Sequence, residues 1–240
     1  MDIAIWMIAA FVSFFVKGVC GFANTLVLQS ILSFRTDNIV ISPVELLLSF
    51  PANAMMTIKE RRHIRWKLCL PVAAIVLAGC IPGIFLLKNV DTTSIKIIFG
   101  IMVVAIAIEM FFRDKRKNNG KSNKILMWGI GILSGILCGL YGVGALLSAY
   151  FGRTTDNIHE FKANISFVFV CENILRTIIY SAVGILTFDI LKMALMIVPF
   201  VIGGLALGMF CGKFINENIV KKIVIVMLAL SGVSLIVTSL

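Results

Sequence analysis

Apolar residues in this chain come in long blocks separated by short polar loops. The runs 68–87, 125–152, 193–212 and 223–240 contain no charged residue. A helix of roughly 20 such residues crosses the hydrocarbon core of a bilayer. Eight apolar segments can be drawn: 3–34, 38–58, 68–87 and 92–112, then 125–152, 161–188, 193–212 and 219–240. A buried helix of a soluble protein can imitate one of these runs, but not the series. The pattern predicts an all-α polytopic membrane protein.

The second half of the chain resembles the first. Gly18-Val19-Cys20-Gly21-Phe22-Ala23 lies against Gly139-Leu140-Tyr141-Gly142-Val143-Gly144, and a Thr-Asp-Asn-Ile tetrapeptide follows each, at 36–39 and 155–158. Asn53-Ala54-Met55-Met56-Thr57-Ile58 then matches Asn173-Ile174-Leu175-Arg176-Thr177-Ile178, and Phe85-Leu86-Leu87-Lys88 matches Phe210-Cys211-Gly212-Lys213. Short matches arise by chance in apolar sequence; their common order is what argues for duplication. The expected organisation is a first transmembrane repeat over 1–112, a basic cytoplasmic connector over 113–124 and a second repeat over 125–240.

The first segment of each repeat is too long for one untilted crossing, and glycines interrupt it near its middle. Glycine weakens a helix interior by ~1 kcal/mol, so a close pair invites a break. Each segment is therefore either one long crossing or two half-helices that enter and leave on the same side. Loop charges separate the two. Eight full crossings with a cytoplasmic N-terminus put 12 Lys/Arg inside and eight outside, whereas re-entrant first segments, which invert the second repeat, put 16 inside and four outside. Retention of cations on the cytoplasmic side favours the second arrangement, hence inverted repeats.

Composition agrees with the membrane assignment: 60% of residues are hydrophobic, only 14% are charged, and mean hydropathy is +1.03. The net charge of +10 sits in short loops, where the positive-inside tendency explains it, so no nucleic-acid partner is expected. Met1-Asp2-Ile3 lacks the basic stretch of a secretory signal, and the first apolar segment is expected in the mature protein. Cys20, Cys69, Cys80, Cys138, Cys171 and Cys211 all fall in apolar runs and read as small buried hydrophobes. His63 and His159 fall in loops and are expected to form no metal cluster with Cys or carboxylates. No phosphate loop or nucleophile elbow is present, so neither cofactor, metal nor enzymatic activity is expected.

Four ionisable residues fall within apolar segments away from their ends: Lys17, Glu45, Glu172 and Arg176. A charge at the bilayer centre costs ~3 kcal/mol or more, so each needs a partner or water. Glu172 and Arg176 stand four apart and share a helical face. Read as structure, that pair neutralises itself. Read as function, Arg176 binds an anion when Glu172 is protonated, which couples transport to a proton. Glu45, two residues past Pro43, is either a second proton carrier or an interfacial side chain. Where a helix restarts inside the membrane, its free N–H groups carry partial positive charge, and half-helix ends of this kind bind anions in transporters. The restarts at Gly18, Gly21 and Asn24 and at Gly139, Tyr141, Gly142 and Gly144 therefore read as two halves of an anion cradle, with Lys17 beside the first. The bland alternative is that these glycines only let helices approach. Asn53 and Asn173, at equivalent positions, either donate to substrate oxygens or hydrogen-bond between helices.

A glycine-rich break in the first segment of two homologous four-segment halves, joined by a basic connector, resembles the sulfite exporter TauE/SafE family (the TSUP permeases) over essentially the whole chain. Ala23-Asn24-Thr25 and Ala145-Leu146 depart from the family's glycine pattern. The resemblance implies a multi-pass permease of the cell membrane, of bacterial plasma-membrane type, moving a small anion such as sulfite or an organosulfonate. Its partners are then the anionic solute and membrane lipid, and assembly as a homo-oligomer stays open. A passive anion channel, or a transporter of a small carboxylate, is the alternative. A membrane enzyme would need an acid/base cluster that the sequence does not offer, and a scaffold would need a dry interface.

Overall fold

The computed structural model describes residues 3–32, 35–89, 124–142 and 144–216, with single helical positions within 97–111 and 219–237. Over the continuous stretches the helices are α1 (Ile3–Cys20), α2 (Asn24–Leu32), α3 (Asn38–Lys59), α4 (Trp66–Asn89), α5 (Lys124–Tyr141), α6 (Ala145–Thr154), α7 (Ile158–Ala182) and α8 (Phe188–Cys211), with a 3-10 turn at Arg61–His63. The connector 113–124 lies outside the described residues except for Lys124, which opens α5. Among the described residues there is no strand. Among the described residues, five helical spans are long and apolar enough to cross a membrane: Ile3–Cys20, Asn38–Lys59, Trp66–Phe85, Ile158–Ala182 and Phe188–Cys211.

The surface says what surrounds the bundle. Ile8, Ile58, Leu70, Ile178, Leu195 and Ile202 each keep more than half of their surface exposed. Helices that are apolar on the outside as well as the inside are at home in lipid, not water. The chain is a multi-pass membrane protein.

Lipid supplies no hydrophobic drive between helices, so close approach of backbones must do the work, and small residues permit it. On α1 and α8, Gly204 lies on the backbone of Phe11, Gly208 on that of Phe15, and Gly18 on Leu205, Gly208 and Met209. Residue numbers rise together along this seam, so α1 and α8 run parallel. On α4 and α5, Gly79 meets Gly135 and Gly83 meets Gly139, again in parallel. Gly100 and Gly232, from the partly described segments, meet each other: a Cβ on Gly100 would lie 2.7 Å from the Gly232 oxygen. That pair is antiparallel, since Gly100 also faces Ile236 while Gly232 faces Val104.

Helices α3 and α7 cross the middle of the bundle in opposite directions. Ser42 near the start of α3 meets Arg176 and Tyr180 near the end of α7, whereas Glu60 just past α3 meets His159 at the start of α7, at 3.0 Å. The same end collects Lys59, whose Nζ reaches Met209 Sδ of α8 at 3.6 Å, and Arg65, whose Nη1 reaches the Thr154 carbonyl of α6 at 3.1 Å. Arg65 also lies 3.5 Å from both Asp156 and Glu160. The segment expected over 161–188 starts earlier and stops sooner. Asn157 caps it by accepting from Glu160 N at 2.9 Å, and Gly184, at φ +74°, turns the chain after Ala182.

The glycine seams give a packing test. A Cβ on Gly83 would fall onto the Ile136 carbonyl oxygen and 3.1 Å from Gly139 Cα, both backbone, whereas Gly129 has nothing within 4 Å. Gly83→Val is expected to destabilise by roughly 3 kcal/mol, the upper range for overpacking. Gly129→Ala, inside α5 with open space around it, is expected to be neutral or to stabilise by up to ~1 kcal/mol. Thermal unfolding of the two variants in detergent measures the difference.

Candidate functional site

Both helix breaks have the same local construction. After α1, Gly21 N still bonds the Lys17 carbonyl at 2.7 Å, but Gly21 takes φ +93° and Ala23 φ +75° before α2 begins at Asn24. After α5, Gly142 N bonds the Cys138 carbonyl at 2.7 Å and takes φ +69°, with α6 opening at Ala145. Left-handed geometry costs a non-glycine residue about 1–2 kcal/mol, so Ala23 is held there by its surroundings. What surrounds it is the start of a polar cluster.

The cluster gathers two cations and two carboxylates, none more than 2% exposed: Lys17, Glu45, Glu172 and Arg176. Lys17 Nζ donates to Asn24 Oδ1 at 2.8 Å, which fixes the amide so that its Nδ2 donates to Glu45 Oε1 at 2.9 Å and to Ser49 Oγ at 2.5 Å. Thr25 Oγ1 donates to the same Glu45 oxygen at 2.6 Å, and Ser49 Oγ donates to it as well. The other Glu45 oxygen lies 3.7 Å from Arg176 Nη1, which also lies 3.3 Å from Glu172 Oε1. Arg176 Nη2 donates to Ser42 Oγ at 2.7 Å and to Tyr180 Oη at 3.2 Å, and Tyr180 donates to the Gly139 carbonyl at 3.3 Å. One guanidinium thus ties α3 to α7 and, through Tyr180, to α5.

The second break presses on this cluster from the opposite side. A Cβ on Gly142 would stand 2.7 Å from Glu45 Oε2 and 2.8 Å from Arg176 Nη1. Only glycine lets the α5–α6 turn abut the ion pair. Gly144 packs against the Phe169 ring in the same way, and that ring lies 5.8 Å from Lys17 Nζ, within cation–π range.

A cavity of about 330 Å³ opens near the cationic end of the bundle, lined among others by Gly18, Lys59, Glu60, Lys162 and Lys213. Gly18 is the chain neighbour of Lys17, so the cavity reaches to within one residue of the cluster. The stem of Lys162 covers Gly21, where a Cβ would lie 2.6 Å from Cγ, and its Nζ reaches the Gly18 carbonyl at 3.5 Å. A cation at the C-terminal end of α1 answers that helix's exposed carbonyls.

The residues singled out from sequence divide into groups. Lys17, Asn24, Glu45, Glu172, Arg176 and Gly142 come together. Gly144 and Gly139 stand at the edge, the latter through its carbonyl. Gly18 and Gly21 serve contacts with α8 and Lys162. Asn53 and Asn173 are buried, yet Asn53 Oδ1 and Asn173 Nδ2 have no hydrogen-bond partner among the described residues; Arg176 Nε shares that state. The side chain of Tyr141 lies outside the described residues. Glu45, on the second turn of α3, is buried within the bundle at 2% exposed. The expectation that the two histidines join no cluster is also corrected: His63 and His159 converge on Glu60, with donor atoms all within 4.8 Å. Sequence spacing hides this, since His159 is far along the chain from the other two.

Thr25, Ser42, Ser49 and Tyr180 were not singled out. The sequence carries a signal for three of them. Asn38, Ser42, Glu45, Ser49 and Asn53 recur at spacings of three and four, a polar stripe along one face of α3. Tyr180 stands four beyond Arg176, on its face of α7.

The cluster predicts how its members depend on each other. Arg176→Gln leaves Glu45 and Glu172 buried with no guanidinium, and removing one partner of a buried pair costs about 3–5 kcal/mol. A marked fall in melting temperature in detergent is expected. Arg176→Gln with Glu172→Gln is expected to recover part of it, since one orphaned charge is then gone.

Comparison with known proteins adds the family. The family described as "Sulfite exporter TauE/SafE" matches residues 6–235, a stretch that contains both helix breaks and the whole cluster. No match is found among curated proteins or among solved structures. With a membrane bundle, buried ionisable residues and a family match over nearly all its length, the chain belongs to the sulfite exporter TauE/SafE family of membrane transporters.

Proposed function

We propose that this protein is a secondary permease of the cell membrane for a small sulfur oxyanion or organosulfonate, such as sulfite, and that the Lys17–Glu45–Arg176–Glu172 cluster is its substrate and coupling site. The observation that carries this reading is the composition of the cluster: two cations and two carboxylates, each at most 2% exposed, joined by the Arg176 ion pairs and by the Lys17–Asn24–Glu45 chain. Its formal charge is zero, so an added anion meets no net attraction. Protonation of one carboxylate leaves a net positive charge and frees a cation to take the anion. Burial in lipid makes that exchange favourable, because an unpaired charge there is costly. Anion and proton then travel together.

Glu45 gives the exchange a location. Its carboxylate accepts from Asn24 and Thr25 at the start of α2, so it occupies the positive end of that half-helix. An oxyanion would replace it there and would draw on Arg176 Nε and Asn173 Nδ2, donors that no described residue uses. Anions reach the site through the Lys59, Lys162 and Lys213 cavity.

The arrangement that goes with this function is two inverted repeats of four segments, the first of each a re-entrant pair, α1–α2 and α5–α6. Helix directions support it. Thr154 at the end of α6 and His159 at the start of α7 sit beside the 60–65 turn, and Lys59 beside Met209 of α8. Eight full crossings would put residues 59–67 and 153–162 on opposite faces of the membrane. The cationic end is then cytoplasmic, in accord with cation retention. Rocking of one repeat against the other about the cluster would expose it to each side in turn.

Sulfite flux in proteoliposomes tests the reading. Lys17→Ala and Arg176→Lys are each expected to lower flux at least ten-fold in protein that still folds, and unchanged flux in both would sink it. Wild-type flux is expected to rise as the loading side is acidified, because the carboxylate must take a proton before the anion enters. In Glu172→Gln that pH dependence is expected to flatten; a flat wild-type profile would point to a passive channel instead.

A further inference from the structure

At the cationic end, in residues separate from the buried cluster, three side chains from two parts of the chain converge. Glu60 follows α3 and its carboxylate is 11% exposed. Its Oε2 lies 3.5 Å from Nδ1 of His63, three residues on, and 3.0 Å from Nδ1 of His159 in the first turn of α7. The imidazole rings lie 5.3 Å apart and are inclined by 30°. All three donor atoms fall within 4.8 Å of one another.

A zinc-like ion sits about 2.0–2.2 Å from imidazole nitrogen and carboxylate oxygen. Two donors at that radius around a tetrahedral centre are separated by about 3.3–3.5 Å. The His63–Glu60 contact, at 3.5 Å, already matches this, and the His159–Glu60 contact, at 3.0 Å, is a few tenths of an ångström short, so small side-chain adjustments complete three corners. Both rings are half exposed, at 47% and 59%, so rotation is unhindered. Glu60 and His159 also line the cavity, which leaves the fourth corner facing it.

The surroundings select the metal. Lys59, Arg61 and Arg62 flank Glu60 in sequence, so charge attraction alone gathers no cation there. Arg65 is engaged with Asp156 and Glu160. A single carboxylate in such company cannot satisfy calcium or magnesium, which need several oxygens. Two neutral imidazoles suit borderline transition metals, whose coordinate bonds to nitrogen demand fewer negative ligands than the all-oxygen cages of calcium or magnesium. We propose that Glu60, His63 and His159 form a binding site for a divalent transition metal of the zinc type, which ties the 60–65 turn to α7 at the lip of the cavity.

The full chain, purified in detergent with any histidine tag removed, tests this without reference to transport. Cobalt titration is expected to produce the visible bands of a tetrahedral site at one ion per chain, reversed by zinc. No thiolate charge-transfer band is expected, because no cysteine takes part. His63→Gln and His159→Gln are each expected to weaken binding at least ten-fold, and Asp156→Asn, on the same rim, to leave it unchanged. Zinc is further expected to slow tryptic cleavage after Arg61, Arg62 and Arg65 in the wild type but not in His159→Gln, whose altered residue lies on another helix. Absent bands, or bands that survive either histidine substitution, would overturn the assignment. Loss of cleavage protection in the wild type would remove the tie to α7.

Discussion

Four ionisable side chains inside an apolar bundle must settle their charge among themselves, and the rest of this structure is arranged around that obligation. Arg176 answers two carboxylates, Glu172 on its own helix and Glu45 on α3, while Lys17 reaches Glu45 only through Asn24. Losing any one of these leaves a charge in a medium where ~3 kcal/mol or more is the cost. Such a network therefore fixes the relative placement of α1, α2, α3 and α7 more tightly than apolar contacts could.

Sealing the network demands close backbones, and glycine supplies them. The parallel seams α1–α8 and α4–α5 have glycine lying on backbone at successive turns. They clamp the two helices that lead into the breaks, and both breaks abut the cluster, through Asn24 after the first and Gly142 at the second. Gly142 is the clearest instance of the coupling: its missing side chain is the space in which the Glu45–Arg176 pair stands. The backbone strain at Ala23 is held by the Lys17–Asn24–Glu45 chain immediately beside it. Packing, break and charge network are one device.

The two ends of the bundle differ in what they offer a solute. The Lys59, Lys162 and Lys213 end is open to the cavity and lies beside the 60–65 turn and its histidine pair. Across this end, loop residues after α3 and first-turn residues of α7 are joined by Glu60–His159 and Arg65–Glu160 contacts. In the proposed mechanism, where one repeat rocks against the other, contacts that bridge them at one mouth are the contacts that must break for it to open. A metal ion at Glu60, His63 and His159 would add to that bridge.

Much of this was legible in the residues alone. Membrane character follows from charge-free runs near 20 residues, because a bilayer measures length and polarity directly. Lys17, Glu45, Glu172 and Arg176 announce themselves because lipid tolerates an ionisable group only with a partner, and the family resemblance followed from glycine spacing in two ordered halves. Partnership was not legible. That Arg176 is shared with Glu45 depends on α3 and α7 running antiparallel past each other, a long-range fact with no local signature. The same holds for His63 and His159, which distant segments bring to one carboxylate. Sequence fixes which groups cannot be left alone in lipid; only the folded bundle decides which of them meet, because that is set by helix direction and by how closely glycine lets backbones approach.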